Sequence, residues 1–124
     1  MKKTLLILDD QFQYGRSLER AFRRDYELVV ATSVEEAKGC LADKIDLVLS
    51  DVRLDQSDPA DRQGIGFVAW IRRQKPGIPI ILMSAVDDPS LERDALAAGA
   101  NIFLRKPIVV SRLRDVLQTL THLQ

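Results

Sequence analysis

At 124 residues, with 46% hydrophobic and 29% charged side chains and no formal net charge, the chain has the composition of one folded globular domain, which argues against disorder. No basic run exceeds Arg23-Arg24 or Arg72-Arg73, which argues against nucleic-acid binding by this chain alone. A lone Cys40 excludes an internal disulfide, no apolar run nears the ~20 residues of a membrane span, and Met1-Lys2-Lys3 leads into no signal-type apolar region, so the sequence reads as cytoplasmic, without membrane contact.

The first element is Thr4-Leu5-Leu6-Ile7-Leu8, a continuous apolar run of the kind covered on both faces of a sheet, and it ends on Asp9-Asp10. Tyr14, Leu18, Ala21 and Phe22 then share one helical face, with Arg16, Glu19, Arg20 and Arg23 outward. Glu27–Ala31 reads as the second strand. Ser33 and Glu36 have the spacing of a capping box, opening a helix that turns Val34, Ala37 and Leu41 inward. Residues 46–50 form the third strand, which delivers Asp51. A polar stretch without period follows, rich in turn residues, and reads as a loop. The next helix runs from Gly66 to Arg73, with Trp70 packing near Phe67, and Pro76-Gly77 closes it. Strand four covers 80–83 and hands over to Ser84. Asp88-Pro89 caps the following helix, whose Leu91, Ala95 and Ala98 share a face, and Gly99 stands where a left-handed cap belongs. Residues 102–104 form a short fifth strand leading through Arg105 to Lys106-Pro107. Val110, Leu113, Val116, Leu117 and Leu120 define the last helix. His122, the only histidine, reads as a surface residue at its end.

Five βα units with right-handed crossovers make an α/β three-layer sandwich. The strand count favours a flavodoxin-like parallel sheet in the order 2-1-3-4-5, as one domain over residues 1–124. Its switch point lies between strands one and three, where Asp9, Asp10 and Asp51 meet. Carboxylates so close repel one another unless a hard cation intervenes, and Mg²⁺ suits one or two carboxylates plus phosphate oxygens. With the ammonium of Lys106 and the hydroxyl of Ser84 nearby, the set suits phosphoryl transfer, with Asp51 as nucleophile.

Asp9-Asp10, Asp51, Ser84-Ala85 and Lys106-Pro107, with the segment Ala98-Gly99-Ala100-Asn101-Ile102-Phe103-Leu104-Arg105, closely resemble the receiver domain of bacterial two-component response regulators over essentially the whole chain. The resemblance implies that Asp51 is phosphorylated from a phosphohistidine on a sensor histidine kinase or histidine phosphotransfer protein. It implies Mg²⁺ on Asp9, Asp10, Asp51 and the backbone carbonyl of Arg53, and Lys106 paired with Asp51. It makes Ser84 the switch hydroxyl, Phe103 the switch aromatic and Pro107 a cis-proline. It describes a signalling protein that catalyses transfer to, and hydrolysis from, its own aspartate and is not otherwise an enzyme. The altered surface, formed by the fourth helix, fifth strand and fifth helix, would meet an output domain, an effector protein or a second copy of the chain.

Two features depart from the family. From Asp51 to Gly64 the loop is about five residues longer than usual and carries Asp55, Asp58 and Asp61, which read as solvated loop residues. An EF-hand loop starting at Asp55 is excluded by Ala60 and Gly66 at its sixth and twelfth positions. Arg53 and Val86 stand where the family tunes dephosphorylation, and neither can orient a water, which points to a long-lived phosphorylated state. An alternative function is a pseudo-receiver, a protein-interaction module that works without phosphorylation. A nucleotide- or flavin-binding enzyme ranks last, because no glycine-rich phosphate loop follows the first strand.

Overall fold

The computed structural model describes residues 2–122. Ten elements alternate: β1 (Lys3–Leu8), α1 (Phe12–Phe22), β2 (Tyr26–Ala31), α2 (Val34–Cys40), β3 (Leu47–Asp51), α3 (Gln63–Gln74), β4 (Ile80–Ser84), α4 (Pro89–Ala98), β5 (Ile102–Arg105) and α5 (Val110–His122). All strand pairs are parallel, and the order is β2-β1-β3-β4-β5, as the sequence predicts.

Strand periodicity divides the core in two. Leu6, Leu8, Val48, Ile80 and Leu82 face Ala37, Leu41, Phe67, Ile71, Leu91 and Ala95 on the side of α2, α3 and α4. Leu5, Ile7, Leu47, Leu49, Ile81 and Met83 face Leu18, Phe22, Leu113, Leu117 and Leu120 on the side of α1 and α5. Both faces of the central strands are therefore dry, which is why their sequences are unbroken apolar runs. No helix among the described residues is long and apolar enough to cross a membrane.

Local signals set the helix ends. The Ser33 hydroxyl accepts from the Glu36 N–H, while the Glu36 carboxylate reaches back to the N–H of Thr32, one residue before the cap. Asp88 accepts from the Ser90 N–H, and Pro89 opens α4. Gly99 ends α4 at φ 119°, a left-handed conformation that glycine adopts without steric cost. The Arg72 guanidinium ties this corner together by donating to the carbonyls of Gly99 and Ile78 and to the Asn101 side chain.

Several boundaries differ from the sequence reading. β3, β4 and β5 continue through Asp51, Ser84 and Arg105, because ladder pairing (Asp51 with Met83, Ser84 with Arg105) does not stop where the apolar run stops. α3 begins at Gln63, before the apolar period at Gly66. Its first turn is fixed by backbone contact, since the Gly64 N–H donates to the Val52 carbonyl at 2.9 Å. The Lys106–Pro107 peptide is cis, as expected.

Candidate functional site

Ladder register carries the polar strand ends to one rim. Leu8 pairs with Ser50, so Asp9 and Asp51 follow side by side at the ends of β1 and β3. Ser84 ends β4 opposite Arg105, and its carbonyl accepts from the Lys106 N–H at 2.9 Å, which fixes where the lysine leaves β5.

From there Lys106 Nζ reaches 2.8 Å from Asp51 Oδ2 and 3.2 Å from Asp9 Oδ2. Asp9 is fully buried and Asp51 only 5% exposed. The other Asp9 oxygen accepts from the Gln11 N–H at 2.8 Å, so this carboxylate is held from both sides. Burial pushes Asp51 above the ordinary carboxylate range. The Lys106 hydrogen bond and charge pull it back only in part, and the neighbouring Asp9 adds to the rise. For Lys106 burial favours the neutral amine, but the bond and charge of Asp51, with those of Asp9, overcome it and raise the ammonium above its usual value.

One oxygen from each of Asp9, Asp10 and Asp51 lies within 4.8 Å of the others. With Mg–O distances of about 2.1 Å, adjacent ligands of a six-coordinate ion stand about 3.0 Å apart and opposite ones about 4.2 Å, so oxygens grouped this closely can close around one ion. Charge agrees with that fit. Three carboxylates against one ammonium leave two negative charges uncompensated, and one divalent cation neutralises them. These residues therefore fit a magnesium ion.

Ser84 is 2% exposed, and its oxygen accepts from the Val86 N–H at 3.0 Å, leaving the hydroxyl proton free to turn toward an anion. A cleft of about 170 Å³ opens above Asp51, lined in part by Ser84, Ala85, Val86 and Lys106. Phe103, on β5, is half-buried and packs against the α2–α3–α4 core. The structure brings Asp9, Asp10, Asp51, Ser84 and Lys106 together at this rim.

A family model described as response regulator receiver domain matches residues 5–118. The chain belongs to that family. This receiver is 33% identical over 119 residues to the transcriptional regulatory protein ZraR of Salmonella typhimurium, covering 94% of the chain and 26% of ZraR. It is 30% identical over 124 residues to the alkaline phosphatase synthesis transcriptional regulatory protein PhoP of Bacillus subtilis, covering 95% of the chain and 50% of PhoP. The chain thus spans from about a quarter to half the length of these relatives. Among solved structures, a two-component response regulator from Clostridium difficile superposes with a TM-score of 0.87 at 22% identity, covering 98% of the receiver and 97% of that chain. A response regulator from Thermotoga maritima gives 0.85 at 22% identity, covering 98% and 99%. Both share the fold.

Three residues of this receiver's rim were not legible as site residues. The Tyr14 ring, which the sequence places simply on the inner face of α1, lies under Lys106 Nζ at 4.4 Å, a cation–π contact that fixes the lysine from below. Burial raises the Tyr14 phenol above its usual value although Lys106 opposes the rise. Gly64 lies against the Asp51 backbone, and its place in the family pattern was its only signal. Gln56, in the extended loop, donates to Asp10 Oδ1 at 3.0 Å. Residues 55–60 of the loop are exposed, as expected of a solvated loop, but side chains brace its backbone from within. Asp61 accepts from the N–H groups of Leu54 and Asp55, Asp55 from that of Ser57, and Asp58 from that of Ala60.

Proposed function

We propose that the chain is a phosphoacceptor receiver in a two-component relay, with Asp51 as the acceptor. The observation that carries this reading is the Lys106–Asp51 contact inside a notch two charges short of neutral. Asp51 and Asp10, with the Arg53 carbonyl and with Asp9 directly or through water, would hold magnesium, which when bound neutralises charge on the phosphoryl oxygens.

An Asp51 oxygen attacks phosphorus in line. The new P–O bond forms as the P–N bond of a phosphohistidine on a histidine kinase or phosphotransfer protein breaks, and the imidazole leaves with its electron pair. Lys106 stays beside the acceptor throughout and donates to the phosphoryl oxygens. Phosphorylation adds about −1.5 to −2 charges and strong acceptor oxygens. Ser84 bonds to them by moving inward, which breaks its contact with Val86 and draws in the segment before α4. Phe103 follows into the space released, and the α4–β5–α5 face changes shape for an output domain, an effector or a second copy.

Hydrolysis of the aspartyl phosphate is slow in this scheme, because neither Arg53 nor Val86 positions a water. The pseudo-receiver reading draws on the long loop alone, and the full set of rim residues weighs against it. Beryllofluoride with Mg²⁺ separates the two. A phosphoacceptor gives amide shift changes at Ser84 and across α4–β5–α5, whereas an unchanged spectrum supports the interaction module.

A further inference from the structure

The extended loop reaches the acidic notch through one side chain. Gln56 Nε2 lies 3.0 Å from Asp10 Oδ1 and 3.4 Å from the Arg53 carbonyl. Gln56 Oε1 accepts from Arg53 Nη2 at 2.7 Å, and the same nitrogen donates to the Gln56 carbonyl at 3.1 Å. The partners settle which end of the carboxamide is which. A carboxylate and a carbonyl can only accept, and a guanidinium can only donate, so the reverse orientation would oppose like groups on both sides.

Asp10 and the Arg53 carbonyl are two of the oxygens assigned to magnesium above. The amide NH₂ and a cation therefore draw on the same two acceptor groups. The loop is built to allow exchange at this point, because Asp61 pins its near end through Leu54 and Asp55 while the Gln56 side chain itself is exposed.

We propose that Gln56 sets the metal affinity of the notch: its carboxamide holds Asp10 and the Arg53 carbonyl in the metal-free protein, and an entering divalent cation displaces it, releasing residues 56–60 from the rim. This rests on the metal-dependent acceptor reading and adds to it a role for the extended loop. Replacing the carboxamide removes a competitor, so metal binds more tightly.

The test is calorimetric titration of the full chain with Mg²⁺, comparing wild type with Gln56→Ala and with Gln56→Met, which keeps the side chain's length without the donor. Removal of a net hydrogen bond of ordinary strength predicts a dissociation constant roughly three- to tenfold lower in both variants. In wild type, the Gln56 side-chain NH₂ resonances move to solvent-exposed values with the same midpoint as the heat. Unchanged affinity in both variants overturns the proposal and leaves the acceptor reading standing. Weaker binding also overturns it, since Gln56 would then be a ligand. No heat in any of the three proteins, with no label from acetyl phosphate, removes the acceptor reading together with the proposal.

Discussion

Gly64 lies so close to Asp51 that a Cβ there would fall 2.1 Å from the Asp51 carbonyl oxygen and 2.8 Å from the Val52 Cα. Both neighbours are backbone at the end of a buried strand, so neither can yield without moving the acceptor. This contact, with the bond from the Gly64 N–H to Val52, closes the loop onto β3 whatever its length. Extra residues between them therefore leave the rim intact.

Gly64→Ala should cost about 1–3 kcal/mol or more of stability, the range for overpacking a well-filled interior. It should also slow labelling of Asp51, because relief of the clash shifts the carboxylate. Chemical denaturation alongside acetyl phosphate labelling checks both. Wild-type stability in the variant would mean that α3 rides away from β3 freely.

Lys106→Ala leaves Asp9 and Asp51 facing each other in a buried site with no counter-charge. Breaking one side of a buried pair is costly, and the lysine's partial access to water moderates the loss to about 1–3 kcal/mol. The deficit should shrink in millimolar Mg²⁺, which supplies the missing positive charge, and thermal melts with and without the ion measure it.

Ser84→Ala should still accept phosphate, since the hydroxyl is not the nucleophile. The response of the α4–β5–α5 face should be blunted, as seen in amide shifts of those elements after beryllofluoride addition. A full wild-type response would remove Ser84 from the switch.

Asp61 supplies a pH test of the extended loop. Burial alone would raise its pKa, but the N–H of Leu54, the Gln63 side chain and the N–H of Asp55 together hold it below the ordinary 3.8. The folded value lies under the unfolded one, so the ionised form stabilises the loop. That contribution is complete above pH 3.8 and is lost as pH falls through the lowered folded value. The amide resonances of Leu54 and Asp55 should titrate together with a midpoint below 3.8. A midpoint at or above 3.8 would mean the caps do not form in solution.

The fold and the principal rim residues were legible because the same physics writes both. A strand buried on two faces is dominated by apolar residues, and the polar residue that closes it marks the rim, as at Asp9, Asp51 and Ser84. The capping box at Ser33 and the left-handed Gly99 were readable for similar reasons, being local rules that tertiary contacts did not override. The start of α3 was not legible, because Gln63 and Gly64 carry no apolar signal and their placement depends on the end of β3. Tyr14 gave an apolar signal that was correct but incomplete, since a ring can fill a core edge and face an ammonium at once. Gln56 gave none at all. An exposed glutamine in an aperiodic loop acquires meaning only when the loop folds back to Asp10.

The most direct measurement is acetyl phosphate labelling with Mg²⁺, followed by mapping of the modified peptide by mass spectrometry. The account predicts one phosphoryl group, on Asp51, lost on chelation of the metal before labelling and absent from Asp51→Asn. Labelling of Asp51→Asn to the wild-type extent, or no labelling of the wild type at saturating Mg²⁺, would contradict it.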